Sequence, residues 1–127
     1  MPSTSEIPQR LRAVMPAMRA ALARRGLYVL DDFLGGGAAR RMREDAVRLR
    51  RRGRFGPSLS IDGEGKPFAK PGIESLELDA GDAAEAPHLL AYTRDVLVTL
   101  PDLFGDPRVS RRVYGTKLAV TLPGASQ

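Results

Sequence analysis

The chain has 127 residues, with 20 Lys+Arg against 15 Asp+Glu, one His and neither Cys nor Trp. Without cysteine there is no thiol nucleophile, disulfide framework, thiolate zinc site or iron–sulfur cluster, and a single histidine excludes any site built on two. The length suits one domain, a hydrophobic content of 43% takes the chain out of the disordered class, and no run reaches the ~18 apolar residues of a membrane span.

The charge is unevenly spread. Residues 1–56 hold 13 basic and 5 acidic side chains, and every basic one is arginine; residues 57–127 hold 7 basic and 10 acidic. Such asymmetry marks either a basic arm for a polyanion or a run of solvated helix faces. The second reading is the expected one, with no membrane partner and no nucleic-acid partner.

Residues 1–8 are expected to be a disordered N-terminus, and residues 9–127 part of a single domain. No apolar core follows the first basic residues, so no secretory signal is expected. The Arg- and Ala-rich start, with Glu6 as its single acid up to Gly26, has the character of an organelle transit peptide, but an ordinary first helix is expected. The expected location is the cytoplasm or nucleus. Leu11, Val14, Met15, Met18 and Leu22 recur at the spacing of one helical face. Pro16 implies a kink or a restart within this helix, and Gly26 is its natural stop.

Leu27-Tyr28-Val29-Leu30 reads as a short strand bounded by Asp31-Asp32. The triplet Gly35-Gly36-Gly37 invites a phosphate-loop reading, but no Gly-Lys-Ser/Thr closes it, and the dinucleotide fingerprint lacks its third glycine. A second helix is predicted from Ala38 to Arg52, ending at Gly53. Its apolar stripe is thin: Ala39, Met42, Ala46 and Leu49. Arginines cover the rest. No interleaved aromatic or nucleic-acid-binding signature accompanies them.

Residues 53–72 are rich in Gly and Pro and read as an irregular loop in which Phe55, Leu59, Ile61 and Phe68 pack on a core. Ile73–Asp79 alternates as a strand. A third helix is predicted from Pro87 to Leu100, buried through Leu89, Leu90, Thr93, Val96, Leu97 and Leu100, and closed by Pro101, Gly105 and Pro107. Arg108–Leu122 reads as one or two strands broken near Gly115. In its last part Leu118, Val120 and Leu122 share one side, and Lys117, Ala119 and Thr121 the other. With few strands to partner it, the sheet is expected to be incomplete, with open edges.

The order of these segments, with R-G-L-Y-V-L-D-D-F-L (Arg25–Leu34), the basic helix, G-R-F (Gly53–Phe55), a strand, a helix and T-K-L-A-V-T-L-P-G (Thr116–Gly124), resembles the N-terminal half of the prolyl 4-hydroxylase-like Fe(II)/2-oxoglutarate dioxygenases. It is most similar to the hypoxia-inducible-factor prolyl hydroxylase group. The resemblance covers residues 9–127 and is most specific at Gly26–Leu34. It implies an α+β class: supporting helices on the outside of the larger sheet, with the first strands of a double-stranded β-helix (a jelly roll), apparently incomplete. It implies an oxidoreductase that couples oxidative decarboxylation of 2-oxoglutarate to hydroxylation of a protein or peptide, with Fe(II) held by two histidines and a carboxylate and kept reduced by ascorbate.

The sequence departs from that pattern in two places. The family's His-x-Asp follows the Pro-Gly turn, here Pro123-Gly124, and is absent from these residues. His88 is followed by Leu89-Leu90 and is expected to be structural, so no catalytic or metal residue is expected in this chain and none of the three cofactors is expected to bind it alone. The family's tyrosine before the turn is Leu122 here, which cannot donate a hydrogen bond. By the resemblance Leu118, Val120 and Leu122 wall the cosubstrate pocket; the other reading of the same residues is sheet core. Two further readings stand beside the dioxygenase: a non-catalytic basic module that binds nucleic acid or an acidic partner through the Arg40–Arg54 helix, and a pseudoenzyme that pairs its open sheet with another chain.

Overall fold

The computed structural model describes residues 7–109 and 115–124. Its class is α+β: helices packed on a three-stranded antiparallel sheet.

Helix α1 spans Ile7–Arg25 and runs through Pro16 without a break in assignment. Pro16 has no N–H for the carbonyl of Arg12, which costs up to about 3 kcal/mol in a helix interior. The apolar face offsets this. Ile7, Leu11 and Val96 form a buried cluster against which Phe33, Leu34, Tyr92, Leu100 and Leu103 pack. The helix therefore starts before residue 9, and Ile7 and Pro8, expected in a disordered arm, belong to it. Gly26 closes it at φ 75°, its N–H bonded to the Leu22 carbonyl at 2.9 Å.

The expected strand at 27–30 does not form: this stretch is irregular, and Leu27 and Val29 face solvent. Four strand-forming residues with no neighbouring strand have nothing to pair with, and strand preference alone does not hold them. Helix α2 spans Gly35–Arg51, so the glycine triplet is its first turn rather than a lead-in. Leu49 is fully buried, with Met42 and Ala46 packed beside it, while Ala39 is exposed.

Residues 53–72 hold no long loop. Strand β1, Gly56–Ile61, pairs antiparallel with β2, Pro67–Leu78. The turn between them is built on Asp62, whose carboxylate accepts the N–H groups of Glu64 and Lys66, both at 2.9 Å, an Asx turn that the density of glycine and proline conceals. The register shifts between Pro57 and Leu59, where Pro71 and Gly72 (φ 70°) make β2 bulge. Of the four apolar residues expected to pack, Phe55 does; Leu59, Ile61 and Phe68 are exposed, Ile61 by 69%.

The third helix is a composite: α3 at Pro87–Tyr92, a π-helical segment at Thr93–Val98, and α4 at Thr99–Phe104. It passes Pro101 instead of stopping there. Two features account for the wide turn. Pro101 cannot donate to the Leu97 carbonyl, and the Thr93 hydroxyl donates to the Leu89 carbonyl at 3.3 Å, competing with the backbone ladder. Leu97, expected inside, is exposed.

Strand β3, Thr116–Thr121, completes the order β1-β2-β3, with Leu76 opposite Leu118 and Glu74 opposite Val120. Of the final segment expected as strand, 110–114 lies outside the described residues. The main cluster joins both layers: Leu49 from α2, Leu78 from β2, and Ala86 and Leu89 at α3 are buried, flanked by Phe55, Leu76 and Leu118. The helices cover one sheet face; Lys117, Ala119 and Thr121 on the opposite face are exposed.

Leu49→Ala empties the centre of this cluster and is expected to lower the unfolding free energy by about 2–5 kcal/mol. Val29→Ala, at an exposed site, stays within about 0.5 kcal/mol. Urea unfolding of the two variants checks both values.

Candidate functional site

The most densely bonded region lies where the end of α2 meets the turn before α3. Asp45, on α2, is 1% exposed. Its Oδ2 accepts the backbone N–H of His88 at 2.7 Å and of Leu89 at 3.1 Å. Those are the second and third residues of α3. The first is Pro87, which has no N–H, and Ala86 supplies no side-chain cap. Asp45 therefore satisfies the orphan donors at the start of α3 from another helix, and its negative charge lies at the positive end of the α3 dipole. Asp45 Oδ1 accepts from the Arg48 guanidinium at 2.7 Å, which also donates to the Glu85 carbonyl at 2.9 Å.

The same arginine-rich end of α2 holds the turn at residues 79–86. Arg54 donates to Asp82 at 3.0 Å and to Glu85. Arg52 pairs with Glu85 at 3.6 Å, and Arg50 with Glu74 of β2 at 3.5 Å. Asp79 and Asp82 form a reciprocal capping box around the 3-10 turn Ala80–Asp82. The Asp79 N–H, then the Arg54 guanidinium, hold the Asp82 carboxyl below the usual carboxylate range. Asp82 and then Glu85 raise the Arg54 guanidinium above its ordinary value. Arg48, Arg50, Arg52 and Arg54 of the basic patch are thus engaged within the fold.

A cleft of about 600 Å³ lies between β2, α3 and the start of β3, lined by Leu78, Ala83, Pro87, Leu90, Thr93 and Thr116. Its two hydroxyls bond to each other, Thr93 to Thr116, and tie the π-helical segment to β3. Asp79 and Arg94 also line it; the Asp79 carboxylate accepts the Gly81 N–H at 2.8 Å, and Arg94 pairs with Asp95 at 2.9 Å. The cleft offers an apolar wall whose polar groups already have partners.

Leu118 packs in the main core cluster, and Val120 and Leu122 are half-buried on the same strand face. That row is turned toward the helical layer. His88 is half-buried, its backbone bonded to Asp45, and no cluster of three His, Cys, Asp or Glu able to hold a metal occurs among the described residues. No helix is long and apolar enough to cross a membrane. Sequence reasoning missed Asp45, the residue that organises this region. Its signal was present: an acid inside the apolar face, one residue from Ala46 and four before Leu49. No protein-family model, curated protein or solved structure matches the chain.

Two measurements test this geometry. Asp45→Ala leaves the His88 and Leu89 N–H groups without an acceptor and Arg48 without its ion pair, and is expected to cost about 3–5 kcal/mol of stability in urea unfolding. The second is an acid titration. Because the folded Asp82 carboxyl titrates below its unfolded value, its contribution is complete above about pH 4 and is lost as pH falls through the folded value. The stability curve should drop at the acid end, and Asp82→Asn should make that drop shallower.

Proposed function

We propose that this chain forms the supporting helical layer and first strands of a prolyl 4-hydroxylase-like Fe(II)/2-oxoglutarate dioxygenase domain, and that it supplies scaffold rather than reacting groups. One observation supports the reading: of the segments that resemble this family, Thr116–Gly124 contains β3 of an antiparallel sheet backed by helices on one face among the described residues, while Arg25–Leu34 forms no strand and links the two helices α1 and α2. A double-stranded β-helix needs such a layer, since its larger sheet must bury its outer face against something. Here Leu49, Leu78 and Leu89 do so.

The residues present do not fit the iron of that family. Its site takes two histidines and a carboxylate; this sequence has one histidine, and its backbone is engaged with Asp45. No catalytic step is therefore assigned to this chain. The proposed contribution is mechanical. The cap on α3, the arginine clamps on the turn at 79–86 and the Thr93–Thr116 bond hold β2 and β3 in register, with a free edge on β3 among the described residues. In the complete domain the oxidation would act on a protein or peptide substrate, with 2-oxoglutarate consumed and ascorbate keeping the iron reduced.

The test compares this chain with the product of a reading frame that continues past Gln127. The longer protein is expected to carry a His-x-Asp soon after Pro123-Gly124 and to decarboxylate 2-oxoglutarate in the presence of Fe(II), whereas calorimetry on the 127-residue chain detects no metal-dependent 2-oxoglutarate binding. Tight metal-dependent binding by the short chain, or a longer frame without that motif, contradicts the proposal.

A further inference from the structure

The structure divides the arginines of residues 1–56 into two groups. Arg48, Arg50, Arg52 and Arg54 pair with Asp45, Glu74, Asp82 and Glu85. Arg10 lies over the Phe33 ring and bonds the Asp32 carbonyl. Arg19 donates to the last carbonyls of α4, those of Leu103 at 2.6 Å and Phe104 at 3.0 Å. Arg41 also has an interaction. Arg12, Arg24, Arg25, Arg40, Arg43 and Arg51 remain. All six are exposed and have no hydrogen bond or ion pair among the described residues.

Arg40, Arg43 and Arg51 share the side of α2 opposite its buried Asp45 and Leu49, and Arg12, Arg24 and Arg25 are exposed at different sides of α1. Helix α1 contains no acidic residue at all, and Ala13, Ala17, Ala20 and Ala23 separate its exposed arginines. Alanine leaves room for a bulky anion to approach the helix closely. On α2, Arg40 and Arg51 stand three turns apart on the same side, about 16 Å along the axis. Uncompensated like charges at helical spacing repel, so this face gains most from an anion of extended form.

We propose that the outer face of α2, through Arg40, Arg43 and Arg51, binds the phosphate backbone of a double-stranded nucleic acid, without reading its sequence. Several features select this occupant. A guanidinium grips a phosphate through two parallel N–H bonds, which a lysine cannot do, and the basic residues of this half are all arginine. Neither helix carries an aromatic side chain, so bases have nothing to stack on, and a single strand is disfavoured against a duplex. The same lack removes sequence readout but not backbone binding, which is why a missing recognition signature does not argue against it. A lipid surface fits less well. An interfacial helix needs a free apolar face, and here both apolar faces are spent, Ile7 and Leu11 against Val96, Leu49 against Leu78 and Leu89. The surface is narrower than the whole Arg40–Arg54 run: Arg48, Arg50, Arg52 and Arg54 pair with acids of the fold, which leaves Arg40, Arg43 and Arg51.

Fluorescence anisotropy of the 127-residue chain with a labelled duplex tests this. Binding is expected at about 50 mM salt and should weaken steeply toward about 200 mM, with log K against log salt falling with a slope of about −3 to −5. The triple variant R40A/R43A/R51A should weaken binding at least about tenfold and make the slope shallower by about 2–3. Lys66→Ala, on the β1–β2 turn, should change neither. Circular dichroism of the triple variant should match the parent, since its sites are exposed. No duplex binding at low salt, or binding that the triple variant leaves intact, overturns the proposal. So does sedimentation with phosphatidylserine vesicles when no duplex binds.

Discussion

A single carboxylate determines how the two layers meet. Asp45 is taken out of water on α2 and receives three hydrogen bonds, two from the start of α3 and one from Arg48. An isolated buried charge of this kind would cost several kcal/mol. Here two of its bonds satisfy donors that would otherwise be orphaned, because a short helix beginning with Pro87 in its first turn has no cap of its own, and the third pairs it with Arg48. The distance from α2 to α3 is therefore set by hydrogen-bond geometry, and the apolar contacts of Leu49 with Leu78 and Leu89 form at that spacing. Apolar packing alone is non-directional and would allow the helices to slide.

The rest of the electrostatics follows the same direction. Arg48 links Asp45 to the Glu85 carbonyl, and Arg52 and Arg54 continue the contact to Glu85 and Asp82. The excess of arginine in the first half and of acid in the second is partly a complementarity within the fold. Arg48, Arg50, Arg52 and Arg54 are paired within the fold, and Arg40, Arg43 and Arg51 are left on the outer side of α2. The former thus hold the sheet's support, and the latter have no hydrogen bond or ion pair among the described residues.

The legible parts of the fold were those governed by periodicity. The bodies of the first two helices, though not their starts at Ile7 and Gly35, the alternation through Leu76 and Leu78 and the final strand at 116–121 could be read from apolar spacing. The misread parts depended on contacts distant in sequence or on turn chemistry. Leu27–Leu30 has strand formers but no partner strand. Residues 53–72 form a hairpin because Asp62 organises a tight turn and Gly72 accommodates a bulge, whereas composition alone suggested a loop. Pro101 sits within the composite helix because Thr93 and the wide π turn absorb its missing donor. The signal at Asp45 was easily passed over, because a lone acid near an apolar stripe is ordinarily solvated; only the geometry of α3 shows why it is buried. Leu118, Val120 and Leu122 were correctly grouped on one side of their strand, and Leu118 lies in the core, turned to the helices.

Amide hydrogen exchange at His88 and Leu89 tests most directly whether the buried Asp45 organises this structure. Both N–H groups lie in the first turn of a six-residue helix, a position that normally frays. If Asp45 holds them, they exchange only through global unfolding, with protection equal to that of the Leu49 amide in the core. Exchange at the rate of exposed loop amides, such as those at 27–30, would contradict the account.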